Sequence, residues 1–104
     1  MMSPERWSKF SLCEQMGHIG SEVARARIWD DKHDAKTRNA CLDQAFDLID
    51  LTRQDVRWRK RLKEICRLRE VLADQYADSK IYPMSLADLE KYCTEFALVA
   101  RKNF

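Results

Sequence analysis

The side chains with the widest chemical use in this chain of 104 residues are two histidines and four cysteines. Glu14 and His18 are four residues apart, so a helix would place them on one face as a possible pair of metal ligands. A metal site in a helical bundle needs ligands from several helices, and the other histidine, His33, lies far along the chain. The chain also has no glycine-rich phosphate loop and no GxSxG motif. We therefore predict no metal and no cofactor, and these residues favour a protein that is not an enzyme.

The cysteines are spaced almost evenly, at Cys13, Cys41, Cys66 and Cys93. No two of them form a CxxC pair, which argues against a zinc knuckle or a thioredoxin-type redox site. A reduced cysteine in a cytosolic protein packs as a small apolar side chain. We predict this packing role for all four.

Basic residues are concentrated in the segment 53–69, which has eight of them against two acidic residues, although the whole chain has a net charge of only +2. Such a helix could contact an acidic protein or RNA, because clustered cations bind anionic surfaces. The alternative is a solvated charged face in which Lys60 and Glu64 pair along the helix. The candidate binding residues are Arg57, Lys60, Lys63 and Arg67.

The elements that position these side chains are all helices. The chain has only 2 Gly and 2 Pro, and no segment alternates polar and apolar residues over the length of a strand. Apolar residues recur instead at helical spacing over about 4–31, 35–51, 53–76 and 86–99. Capping residues stand before each segment. We predict an all-α fold without a β-sheet, a single domain over 1–104 that forms an up-and-down antiparallel four-helix bundle with a long first helix. The predicted caps are Ser3, Asp34, Thr52 and Ser85.

The first helix carries two neighbouring apolar stripes that together cover more than half of its circumference. Its small residues form a groove that would let another backbone approach closely. This groove either receives a second helix of the same chain or forms the interface of a symmetric homodimer. The predicted dimer interface consists of Phe10, Gly17, Gly20, Ala24 and Ile28.

Several polar residues project into the apolar sectors of the predicted helices. A buried guanidinium needs a carboxylate beside it, and Asp50 and Asp30 are the candidates for Arg69. We predict an Arg–carboxylate network formed by Arg27, Asp30, Asp50 and Arg69. The network either fixes the register of the helices, with the arginines reaching water, or forms a pocket for a small anion or a nucleotide.

Three segments resemble sequences of other proteins: EQMGHIGSEVARA at 14–26, DLIDLT at 47–52 and RLKEICRLRE at 61–70. Over about 14–97 the chain resembles a set of small, uncharacterised helical proteins of prokaryotes, which implies a compact helical fold. It also bears a distant resemblance to HEPN domains, whose ribonuclease motif is an arginine followed by a histidine after four to six residues. Arg27 and His33 match that spacing, and the resemblance implies an endoribonuclease toxin or the helical partner of a minimal nucleotidyltransferase.

The leading prediction is a cytosolic interaction module that works as a homodimer and that contacts an acidic partner or RNA through its third helix. No signal-peptide pattern and no membrane-spanning run of apolar residues occurs in the chain, so we expect the cytoplasm and no membrane partner. The HEPN-like ribonuclease, with Arg27 and His33 as catalytic residues, is the alternative.

Overall fold

The computed structural model describes residues 2–78 and 80–102, and they form an all-α fold. Its helices are α1 (Pro4–Trp7), α2 (Leu12–Asp31), α3 (Ala35–Gln54), a 3-10 helix (Val56–Arg61), α4 (Leu62–Ala77) and α5 (Leu86–Lys102). No strand occurs among the described residues, so the predicted fold class is confirmed. None of the helices in this part of the chain has the length and apolar character of a membrane span.

Three of the predicted helix starts are confirmed by their caps. The Ser3 hydroxyl accepts a hydrogen bond from the Arg6 backbone N–H at 3.2 Å. The Asp34 carboxylate accepts from the backbone N–H of Thr37 at 3.0 Å. Ser85 and Asp88 form the reciprocal capping box that opens α5, at 2.9 and 3.1 Å. Each cap satisfies backbone donors that the first turn of a helix leaves unpaired.

The prediction of one long first helix is wrong, because the chain turns between Trp7 and Leu12. Ser11 begins α2 with a capping box of its own. Its hydroxyl accepts from the Glu14 N–H at 3.2 Å, while the Glu14 carboxylate accepts from the Ser11 N–H at 3.0 Å. The break lets α1 fold back and bury Trp7, which is 1% exposed.

The predicted start of the third helix at Thr52 is also wrong. Thr52 lies inside α3, fully buried, where its hydroxyl donates to the Leu48 carbonyl at 3.1 Å and accepts from the Trp7 indole N–H at 2.9 Å. Asp55 provides the cap instead and accepts from the Arg57 N–H at 3.0 Å, at the start of the 3-10 helix. A threonine whose hydroxyl bonds to the carbonyl one turn earlier can remain within a helix, so α3 continues past Thr52.

Helix α2 lies at the centre of the packing, with α3 along one side and α5 along the other, and α4 packs on α3. Late residues of α2 meet early residues of α5, as Arg27 meets Glu90, so this pair is antiparallel. In the described residues, the backbones of α4 and α5 approach each other at few points. The core is formed by Trp7, Leu12, Met16, Ile19, Val23, Ala26, Leu42, Ala45, Ile49, Ile65, Leu68, Val71, Leu72, Leu86, Leu89, Cys93 and Phe96.

Candidate functional site

The separation of α4 and α5 leaves an open groove between them, and three cavities follow one another along it. Their volumes are about 490, 280 and 190 Å³, and Tyr92 of α5 lines all three. We call this the α4–α5 groove. Its lining residues are Arg61, Lys63, Glu64, Cys66, Arg67, Leu68, Glu70, Val71, Tyr82, Met84, Leu89, Tyr92, Glu95, Phe96 and Val99.

The chain that connects α4 to α5 is held so that it closes one end of the groove. Asp74 is 5% exposed, and its carboxylate accepts hydrogen bonds from the backbone N–H groups of Ile81 at 2.9 Å and Tyr82 at 3.0 Å. The Gln75 side chain donates to the Met84 carbonyl. These bonds place the Tyr82 and Met84 side chains at the end wall of the groove.

The floor of the groove is apolar, because Leu68, Leu89 and Phe96 reach it from the core. Tyr92 is half-buried there, and desolvation raises the pKa of its phenol, so the hydroxyl stays protonated at neutral pH. Cys66 is also half-buried in the groove and is a free thiol. Cys93, in contrast, is fully buried beneath α5, and burial raises the pKa of its thiol to about 12.

The rim on the α4 side carries cations that are weakly engaged within the chain. Lys63 is exposed and has no ion pair within the described residues. The Arg67 side chain is 64% exposed, 3.9 Å from the Glu70 carboxylate, and its guanidinium lies over the Tyr82 ring. Such exposed contacts are worth about 1 kcal/mol or less, so Arg67 is free to bind another carboxylate.

The structure does not bring the four predicted binding residues into one patch. Arg57 is bound within the chain, at 2.6 Å from the Asp55 carboxylate and 2.9 Å from the Phe10 carbonyl. Lys60 lies exposed on the 3-10 helix, outside the groove. Only Lys63 and Arg67 share the rim.

The expected Lys60–Glu64 pair is absent from the described part of the chain. Glu64 pairs instead with Arg61, at 3.6 Å. The three-residue turn of the 3-10 helix changes which side chains face each other.

The predicted dimer interface is partly used inside the chain. A Cβ at Gly20 would lie 3.1 Å from the Cys93 Cβ, so this glycine lets α5 approach α2 closely. The Phe10 ring packs at a tilt against the His18 ring, with 4.9 Å between the ring centroids. Ala24 is half-buried. Gly17 and Ile28 remain exposed, the latter at 46%. Of the two interpretations of the small-residue groove, the structure places a helix of the same chain at Gly20.

The predicted polar network is divided into separate ion pairs. Arg69 donates to Asp50 at 2.7 Å, as expected from the sequence, and this hydrogen bond lowers the pKa of the Asp50 carboxyl. Arg69 is nevertheless 38% exposed, so its charge reaches water. Arg27 pairs with Glu90 at 2.7 Å, and Asp30 pairs with Arg38 at 2.9 Å.

The candidate catalytic residues Arg27 and His33 differ in their surroundings. Arg27 is held by Glu90 and lies 3.8 Å from Asp31, an arrangement typical of a structural ion pair. His33 follows the end of α2 with an exposed side chain and a left-handed φ of 59°. Within the described residues, no group of three or more potential metal ligands is found.

A second cleft, of about 440 Å³, lies between α1, α2 and α3. Its charges oppose one another, because Arg6 and Arg25 share it with Glu22 and Asp47. Arg25 is already paired with Glu22 at 3.1 Å. The α4–α5 groove also carries charges of both signs, but it has an apolar floor, and its Lys63 has no ion pair within the described residues. It is therefore the stronger candidate for a binding site.

A buried polar cluster around Gln15 was not predicted. Gln15 is fully buried, and its amide donates to the Trp7 carbonyl at 3.0 Å and accepts from the Trp58 indole N–H at 3.0 Å. The sequence contained a signal for it, because Gln15 falls within the apolar stripe that includes Leu12 and Ile19.

A comparison of the chain with protein-family models, with curated proteins and with solved structures gives no match. The helices and their packing define the protein as an all-α protein with the open α4–α5 groove between its last two described helices.

Proposed function

We propose that this protein is an interaction module whose α4–α5 groove binds an acidic, amphipathic helix of a partner protein. The observation that carries the proposal is the groove itself, with an apolar floor and a basic rim, between two helices that do not close on each other. An amphipathic helix places its apolar face in such a groove and keeps its polar face in water.

The exposed apolar side chains of the groove supply the affinity in this proposal. Leu68, Leu89 and Phe96 are 5% exposed or less and form only the base of the groove. The apolar surface available to a partner comes from Tyr92 and Val99 along α5. Val99 is 47% exposed, so it has apolar surface available for a partner. Burial of such surface contributes about 25 cal/mol per Å² before the costs of association.

The basic rim supplies the specificity. Lys63 and Arg67 are one helical turn apart, and carboxylates on the flank of a bound helix can reach both of them. The carboxylates that line the groove already lie near cations: Glu64 near Arg61 at 3.6 Å, Glu70 near Arg67 at 3.9 Å and Glu95 near Lys91 at 3.9 Å. Lys63 is the cation of the rim without an ion pair within the described residues, and a partner carboxylate competes with Glu70 for Arg67. Both contacts favour an acidic partner.

The proposal assigns the module to the cytoplasm, a reducing compartment in which its four unpaired cysteines would stay thiols. It does not include a homodimer through α2, since Gly20 is occupied by α5 of the same chain. It includes no catalysis, since Arg27 is engaged by Glu90.

A display library of amphipathic helices with randomised polar faces tests the proposal. We expect the selected helices to be acidic and to slow the labelling of Cys66 by a thiol reagent, measured in a Cys13→Ser, Cys41→Ser background. Selection of basic helices, or binding that leaves Cys66 reactive, would contradict the proposal. Binding of a short single-stranded RNA in place of any helix would also contradict it.

A charge reversal provides the matched control. Lys63→Glu combined with Arg67→Glu should weaken binding of the selected helices roughly five- to one-hundred-fold, because each position loses an attraction and gains a repulsion. Lys9→Glu combined with Lys36→Glu changes the net charge equally at exposed positions outside the groove. This second variant should bind with nearly unchanged affinity.

A further inference from the structure

The α4–α5 groove ends in a pocket of about 280 Å³ beside the connection to α5. Its walls are formed by Leu68, Val71 and Leu89, which are all nearly fully buried, and by Met84 of the connection. The pocket is open to solvent on one side, so it can seat one face of a large apolar group, such as an indole or a naphthyl ring.

The polar groups of the pocket are confined to its rim. Arg67 provides the one cation, and the side chains of Tyr82 and Tyr92 complete the rim. The Tyr82 hydroxyl donates to the Glu70 carboxylate at 3.0 Å and is 3.3 Å from the Arg67 guanidinium, which donates to it. Because this Arg67 contact is long and exposed, a carboxylate at the mouth of the pocket can replace it.

We infer that this pocket is the anchor subsite of the groove, an inference that rests on the proposed function. It takes one large apolar side chain of the partner helix, aromatic or at least the size of leucine. A carboxylate one helical turn from that side chain then binds Arg67. The anchor contributes most of the binding energy, and the carboxylate distinguishes acidic partners from neutral ones.

Small probes test the pocket without a known partner. We would titrate the protein with 2-naphthylacetate, with its primary amide and with 2-naphthylethylamine, and follow the backbone amide resonances of Val71 and Leu89 by NMR. The acetate should bind roughly three- to five-fold more tightly than the amide, the gain of one exposed charged contact, and the amine should bind most weakly. Arg67→Met should abolish the preference for the acetate, whereas Arg59→Met should preserve it.

Filling the pocket should exclude all three probes. Val71→Phe should weaken their binding about ten-fold or more, because the apolar ring loses its site of burial. If Val71→Phe fails to fold, as judged by circular dichroism, Met84→Trp fills the pocket from the connection. Unchanged probe binding in a folded, filled variant would overturn the inference, as would probes that leave the Val71 and Leu89 resonances unperturbed.

The two proposals fail in different ways. Acidic helices that bind equally well to the wild-type and pocket-filled proteins would overturn the anchor and leave the proposed function standing. Probes that enter the pocket of a protein to which no acidic helix binds would overturn the proposed function.

Discussion

Replacement of Gln15 by methionine should expose how much the buried polar cluster contributes to stability. The Gln15 amide donates to the Trp7 carbonyl and accepts from the Trp58 indole N–H, each at 3.0 Å. The amide also donates to the Asp55 carboxylate at 3.4 Å. In Gln15→Met, the Trp7 carbonyl keeps the Phe10 N–H at 3.1 Å, and the Asp55 carboxylate keeps its arginine partner at 2.6 Å. Only the Trp58 N–H is left without an acceptor.

The expected loss follows from these partners. An unsatisfied buried donor costs about 1–3 kcal/mol, and each lost hydrogen bond whose partners stay satisfied costs about 0.5–1.5 kcal/mol. Trp58 is half-buried, so water relieves part of its cost, and methionine packs well in the same volume. We expect Gln15→Met to lower the free energy of unfolding by about 1.5–3 kcal/mol and the Tm by roughly 6–20 °C.

Urea denaturation, followed by circular dichroism of the helices and by tryptophan fluorescence, measures this loss. Gln44→Met makes the same chemical change at an exposed position of α3 and should alter stability by less than about 0.5 kcal/mol. Gln15→Met should also lower the free energy of unfolding by less in a Trp58→Phe background, because the indole N–H that Gln15 accepts from is then absent. Equal stabilities of the two methionine variants, or fully additive effects with Trp58→Phe, would refute the reasoning.

Three further predictions concern glycine packing, pH and the exposed ion pair. Gly17→Ala should raise the free energy of unfolding by about 0.5–1 kcal/mol, since the added Cβ would meet open space. Gly20→Ala should lower it by up to about 2 kcal/mol, since α5 must move away from the added Cβ. Equal shifts of the Tm in the two variants would contradict this prediction. The hydrogen bond from Arg57 lowers the pKa of the Asp55 carboxyl in the folded protein. The ionised carboxylate therefore stabilises the fold above the pKa that Asp55 has in the unfolded chain, and this stabilisation is lost as the pH falls through the pKa of the folded state. The stability difference between wild type and Asp55→Asn should therefore shrink from pH 5 to pH 2 in urea titrations. Arg69→Met should lower the free energy of unfolding by about 0.5–1.5 kcal/mol, and Arg59→Met should leave it almost unchanged. A loss several times larger in Arg69→Met would contradict the 38% exposure of the Arg69 side chain.

Sequence patterns predicted the features that depend on residues close along the chain. The caps at Ser3, Asp34 and Ser85 were predictable, because each hydroxyl or carboxylate bonds a backbone N–H three residues later. The cap at Ser11 carries the same signal, and only the apolar periodicity running through it concealed the break. At Thr52 the local pattern was misleading, because the hydroxyl is satisfied by the distant indole of Trp7.

The candidate site depended on contacts that no local pattern specifies. Lys63 and Arg67 were predicted as binding residues, but their role as one rim of a groove required the position of α5 relative to α4. Leu89 and Tyr92 both belong to the apolar pattern of segment 86–99, and of these two only Tyr92 lines all three cavities of the groove.

By itself, the sequence determined the all-α class and the capped starts of three helices, because capping hydrogen bonds and apolar periodicity act within a few residues of each other. The tertiary structure alone decided that Gly20 faces Cys93, that Arg27 binds Glu90, and that α4 and α5 stay apart. These outcomes depend on how helices pack against each other. A helix presents several side chains on any face, and the choice among possible partners is made by packing between segments that are far apart in the chain.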